Sequence, residues 1–250
     1  MKIRQVEDRC ALCQHSARLQ DSHLLPQALY KHVRGDGTNP HPLHIAPQGW
    51  HQSSFQDKAY LLCMECEQRL HRNGENWVLK NLLRKDGKFL LWDKVTAHSE
   101  SLSSDRHTIY RVKADGAVDF DALAYFAASV IWKAAAYPWR GKGEEITLGT
   151  SYEQFRGFLL GKQSFPDNAV LIVDITRPEN RVKAVLSGPA TTRGDKCFRH
   201  WFMTPGVVFE IAIGKLMPSD VRRLCALRNR IIVSSNHEET FRRAYDSMGR

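Results

Sequence analysis

Four of the six cysteines fall into two pairs of identical spacing, Cys10-Ala-Leu-Cys13 and Cys63-Met-Glu-Cys66. A Cys-x-x-Cys turn offers two thiolates to one tetrahedral ion, with Zn–S distances of about 2.3 Å, and two such turns complete a closed structural Zn²⁺ site. Such an ion supplies folding energy to a loop-rich segment that lacks a large core of its own. The competing reading is four core cysteines without a metal. A dithiol redox pair fits less well, because no strand–helix–strand pattern surrounds either pair. Cys197 and Cys225 stand alone and read as core residues.

Between the pairs lies Asp21-Ser22-His23-Leu24-Leu25-Pro26. A Cys-x-x-Cys pair, an acidic residue and a His-x-x-Pro element, and then a strand running into a second Cys-x-x-Cys resemble the HNH (ββα-metal) endonucleases in their zinc-stapled, treble-clef form. The resemblance covers about the first 95 residues. It implies that His23 is the general base for an attacking water and that a Mg²⁺ or Mn²⁺ ion, separate from the four-cysteine zinc, holds the scissile phosphate. Ser22 stands where the family usually has its metal-binding carboxylate, and Glu67 where Asn or His usually follows the last cysteine. Asp21 and Glu67 are the substitute oxygen ligands, and His71, one helical turn beyond Glu67, shares its face. The segment from Gln56 to Leu70 is also similar to a pattern in bacterial HNH-like proteins, some of which belong to phage-defence systems. The bland alternatives are a structural His23 bonded to the knuckle backbone and a solvated helix face at Glu67 and His71.

The elements around these residues divide the chain. Residues 1–95 hold both cysteine pairs and seven of the eleven histidines, and form the expected zinc module. In it, a short helix starts on Pro26 and runs to Val33. Gly35–Ser54 reads as an irregular loop containing His41, His44 and His51. Ala59–Cys63 is a short buried strand, and Glu67–Arg84 a helix weakened by Gly74. The serine-rich stretch His98–Ser104 reads as the linker. Residues 96–250 read as a second, α+β domain with an antiparallel sheet, which makes the whole chain α+β. The surest helix is Asp119–Tyr137, with apolar residues at helical spacing and Pro138 as its stop. Ser151–Gly161 is a helix closed by glycine. Strands are expected over Ala169–Ile175, Val182–Leu186, Cys197–Met203, Val207–Ile213 and Arg230–Val233, and helices over Val221–Leu227 and Glu238–Tyr245.

Composition narrows the partners. The chain has 250 residues, 42% hydrophobic and 25% charged, which excludes wholesale disorder and coiled-coil architectures. Its formal net charge of +9 favours an anionic partner, nucleic acid before a membrane surface. The arginines Arg222, Arg223, Arg228, Arg230, Arg242 and Arg243 crowd the C-terminal end, as a phosphate-backbone surface would require. Phe198-Arg-His-Trp-Phe and Phe241-Arg-Arg-Ala-Tyr interleave aromatic and basic residues in a way that can stack bases. No apolar run is long enough to cross a bilayer and no export signal opens the chain, so a cytoplasmic protein with reduced thiols is expected. No glycine-rich phosphate loop, nucleophile elbow or dinucleotide fingerprint is present. Two functions follow from these readings. One is a metal-dependent endonuclease acting on nucleic acid. The other is a non-catalytic zinc module that binds nucleic acid or a partner protein.

Overall fold

The apolar run that begins after Asp119 forms the helix α5 (Phe120–Ala136), and nearly every side chain on it is buried. Asp119 caps it, accepting a 2.8 Å hydrogen bond from the Ala122 amide. A helix apolar on all sides must be covered on all sides. Here one flank meets a seven-stranded sheet and the other meets a helical rod from the cysteine-bearing segment. The computed structural model describes residues 6–34, 43–46, 49–52, 55–104, 107–114, 117–139, 146–178, 185–194 and 196–235.

The large sheet has the order β6-β7-β12-β8-β11-β10-β9. Its strands are β6 (Ser99–Ser103), β7 (His107–Val112), β8 (Ala169–Ile175), β9 (Ser187–Arg193), β10 (Phe198–Thr204), β11 (Val207–Ile213) and β12 (Ile231–Ser235). Neighbours run antiparallel except β12 and β8, which touch in parallel at Val233 and Asp174. Strand β8 reads as one continuous apolar run because both of its faces are covered. Ala169, Leu171, Val173 and Ile175 face the main core, and Val170 and Ile172 face a smaller cluster with Ala212, Met217, Cys225 and Val233. On the main-core side Phe126 of α5 packs edge-on against Phe202 and Phe209, with ring centroids 5.8 and 5.3 Å away.

The cysteine-bearing segment builds a second, three-stranded antiparallel sheet of order β1-β2-β5 from β1 (Val6–Arg9), β2 (Ser16–His23) and β5 (Lys58–Cys63). Helix α1 (Gln27–Val33) follows β2. Strand β5 runs directly into α2 (Met64–Leu70), a π-helical turn over His71–Glu75, and α3 (Asn76–Asn81). The expected helix therefore starts three residues early, and its midpoint is widened. The cause is Gly74. A Cβ there would stand 2.7 Å from the backbone nitrogen of Phe126, so only glycine lets α5 lie this close to the rod. What reads in sequence as a weak point is a contact point.

Several expectations change. The serine-rich stretch is not a linker. It forms β6, whose residues lie exposed on the sheet edge, which explains their polarity. The loop expected over Gly35–Ser54 contains a hairpin, β3 (Leu43–Ala46) paired with β4 (Gly49–Gln52). The single helix expected at Val221–Leu227 is two short ones, α7 (Ser219–Arg223) and α8 (Ala226–Asn229). Helix α4 (Leu90–Ala97) precedes β6, and α6 (Ser151–Leu159) ends at Gly161, whose φ of +71° is a left-handed terminus that glycine adopts freely. Most of the strand expected at Val182–Leu186, and all of the helix at Glu238–Tyr245, lie outside the described residues. One hydrophobic core runs from Cys10 to Ile232 and takes residues from both sides of residue 95. No helix among the described residues is long and apolar enough to cross a membrane.

Candidate metal centre and the polar face beside it

The four paired cysteines converge. Cys10 and Cys13 flank the turn between β1 and β2, Cys63 ends β5, and Cys66 lies in the first turn of α2. The first turn is tight. The Gln14 amide donates to the Cys10 carbonyl at 2.8 Å, and Gln14 itself takes a left-handed φ of +67°. The four sulfurs lie within 4.8 Å of one another, with Cys13 Sγ and Cys63 Sγ 3.9 Å apart. A tetrahedron with metal–sulfur bonds of about 2.3 Å has edges of about 3.8 Å. The spacing therefore fits a metal ion such as zinc. The Cys63 amide donates to Cys10 Sγ at 3.3 Å, the kind of bond that favours a thiolate.

The electrostatics agree with that fit. A hydrogen bond from the Cys66 thiol is the largest of the effects that pull the Cys10 thiol down to about 4. Donating that bond, together with burial, pushes Cys66 up, while burial is the main cause that raises Cys63. Crowded sulfurs resist a second negative charge unless a cation compensates it. Helix α6 fastens the turn from behind, Arg156 donating to the Leu12 carbonyl at 3.0 Å.

His23 ends β2, half-buried. Its Nε2–H donates to Gln56 Oε1 at 3.0 Å, and its ring tilts against Tyr30. Nδ1 makes no hydrogen bond among the described residues. The His23 carbonyl accepts from Lys133 Nζ at 2.8 Å. Lys133, the one charged residue in the interior of α5, is buried to 2% exposure and lies 3.8 Å from Glu75 Oε1. Glu75 in turn lies 3.7 Å from His71 Nδ1.

Glu67, His71 and Glu75 therefore follow one another at i, i+4 and i+8 along the rod, lining an open hollow of about 320 Å³ with Gln68 and Arg72. Glu67 Oε1 is buried there without a hydrogen-bond partner in the structure. Glu75 is a residue the sequence reading missed, although its spacing from His71 was visible.

Asp21 does not join this group. Its carboxylate pairs with Lys58 of β5 at 2.5 Å, both side chains about half exposed. Ser22 points inward, and its hydroxyl accepts from the Leu62 amide at 3.2 Å where the β2–β5 register shifts. A carboxylate in that position would be buried, which accounts for the serine. Among the described residues the four cysteines form the cluster of ligand atoms close enough to share an ion. Asp21 therefore stands apart from Glu67 and His71, which share one helix face.

Arg222, Arg223 and Arg228 of the expected basic surface are exposed, and Arg230 is half-buried. Arg222 donates to the Met217 carbonyl, and Arg228 to the Pro166 carbonyl and Asp167. Arg230, at a left-handed φ of +55°, donates to the Lys113 carbonyl at 2.8 Å and lies over the Phe120 ring. These three arginines tie turns to strands. Arg223 is exposed, and Arg242 and Arg243 lie outside the described residues. Cys197 and Cys225 are buried, as a core role requires. No protein-family model, curated protein or solved structure matches the chain.

Proposed function

We propose that the four cysteines hold a structural Zn²⁺ in a treble-clef, HNH-like module, and that the chain is a metal-dependent endonuclease acting on nucleic acid. The observation that carries this reading is the His23–Gln56 hydrogen bond. It fixes Nε2 as the protonated nitrogen and leaves the Nδ1 lone pair to accept a proton. An imidazole is suited to that task at neutral pH.

Glu67, His71 and Glu75 supply hard oxygen and imidazole donors on the neighbouring helix face, and the unpartnered Glu67 Oε1 suits a cation. A Mg²⁺ or Mn²⁺ ion bound there would polarise the phosphate and stabilise the leaving oxygen. In the hydrolysis, water forms the new P–O bond, its proton passes to His23, and the bond to the leaving sugar oxygen breaks, that oxygen taking a proton from solvent. The cysteine site, closed by four thiolates, has no open position for chemistry. The resemblance extends the proposal to a bacterial cytoplasm and to phage nucleic acid.

A second reading has its own support. Lys133 already neutralises Glu75 and Lys58 already neutralises Asp21, as in a zinc module that only binds nucleic acid or a protein partner. Plasmid nicking with Mg²⁺ or Mn²⁺ separates the two. Nicking by the wild type that His23→Ala abolishes and Gln56→Leu slows at least tenfold supports the nuclease. No nicking with either ion, or equal nicking by wild type and His23→Ala, sinks it in favour of the binding module.

A further inference from the structure

Away from the cysteine cluster, a second and larger cavity of about 620 Å³ opens where α6 begins and β9, β10 and β11 end or start. Its size lies within the ~300–1,000 Å³ of small-molecule sites. Three cationic side chains, Arg193, Lys196 and Lys215, line it, and no acidic residue does among the described residues. All three are exposed, and no ion pair engages them among the described residues. The N-terminus of α6 forms the facing wall and contributes its positive dipole end, the Ser151 and Tyr152 amides themselves donating to the Leu148 and Gly149 carbonyls. At the mouth Phe198 is 48% exposed on β10, with Arg193 over its ring at 5.8 Å.

The cavity wall also holds polar groups with unused capacity. His200 is buried to 1% exposure, its Nδ1 bonded to Thr191 Oγ1 at 2.9 Å, and its Nε2 has no protein partner among the described residues. Burial drives this imidazole down to about 4, so it stays neutral and can donate or accept. Asn168 donates to Ser151 Oγ at 2.9 Å, while its own Oδ1 is buried and unpaired. Buried polar atoms without partners are rare and usually mark a missing water, ion or ligand. The two turns of the rim are also pressed together. A Cβ on Gly214 would stand in van der Waals conflict with the Lys196 carbonyl.

We propose that this cavity binds a nucleotide. The phosphate lies between Lys196, Lys215 and the α6 N-terminus, the base stacks on Phe198, and His200 and Asn168 meet the polar edge of the ligand. The same chemistry is presented by a free mononucleotide and by the 5′-phosphorylated end of a strand. The site stands independently of the nuclease reading, since none of its residues belongs to that site.

Isothermal titration calorimetry on the full chain tests it, using AMP, adenosine, inorganic phosphate, and a short single-stranded oligonucleotide with and without a 5′-phosphate. Saturable AMP binding is expected, with adenosine at least tenfold weaker. Lys196→Gln with Lys215→Gln, both on exposed residues, is expected to weaken AMP at least tenfold with an unchanged far-UV spectrum. Phe198→Ala weakens AMP and leaves phosphate binding as it was, and His23→Ala changes nothing here. If the phosphorylated strand binds more tightly than AMP, the ligand is a strand end; if AMP binds more tightly, it is a free nucleotide. The proposal is overturned by an absence of saturable binding of both AMP and the phosphorylated strand up to ~1 mM, a level at which binding is worth only about 4 kcal/mol. It is equally overturned by AMP binding that the double lysine variant leaves intact.

Discussion

The cysteine cluster and the polar face beside it lie on the same stretch of chain, yet they differ in how their groups are held. Cys10, Cys13, Cys63 and Cys66 sit on two turns that touch, and their sulfurs face one another with no protein cation among them. Asp21, Glu75 and the His23 carbonyl each have a lysine as neighbour, Lys58 for the first and Lys133 for the other two. Ligands with no other charge to satisfy them converge on a common point. Ligands that the fold already neutralises spread along strand and helix. The cluster is therefore a place for a stabilising ion, whereas the face is polar chemistry wired into the core by one buried ammonium group.

That contrast can be broken or sharpened by substitution. The largest effect is expected for Cys66→Ser. Structural zinc contributes on the order of 10 kcal/mol in small modules, so the variant should lose both its metal and its cooperative thermal melt, read by metal analysis and circular dichroism. Next comes Lys133→Met. Removing the ammonium strands Glu75 and the His23 carbonyl in a buried setting, and chemical denaturation should show a loss of about 3 kcal/mol with zinc content unchanged. Gly74→Ala forces a methyl group against the backbone of Phe126, with an expected loss of about 2 kcal/mol in the same measurement. Lys58→Ala should be smallest, below about 1 kcal/mol, because both partners of the Asp21 pair are about half exposed and solvent screens them. A Lys58→Ala effect as large as that of Lys133→Met would erase the distinction between a wired face and a solvated edge.

The legible parts of the chain were those where local chemistry decides structure. Two Cys-x-x-Cys turns need no tertiary knowledge to be read as one site, and the α5 pattern with its Asp119 cap and Pro138 stop gave the helix to within a residue at each end. Strands β8 and β11 announced themselves as apolar runs. What escaped is what the fold imposes from a distance. Ser99–Ser103 is polar because it lies on an exposed edge, and no local pattern separates such a strand from a linker. The π turn at His71–Glu75 lies where α5, about fifty residues away in sequence, passes against Gly74. Lys133 interrupts an otherwise apolar helix, and its partners, the His23 carbonyl and Glu75, are invisible without the packing. The arginines show the same limit: charge clustered in sequence does not reveal that Arg222, Arg228 and Arg230 each also donate to a backbone carbonyl.

The cysteine cluster is expected to be a filled, structural metal centre. Metal analysis of the purified full chain, followed by thermal melts with and without a strong chelator, tests that directly. The expected result is one zinc per chain, and a cooperative melt that the chelator abolishes and added Zn²⁺ restores. Less than about half an equivalent of zinc, together with a melt that the chelator leaves unchanged, would contradict it.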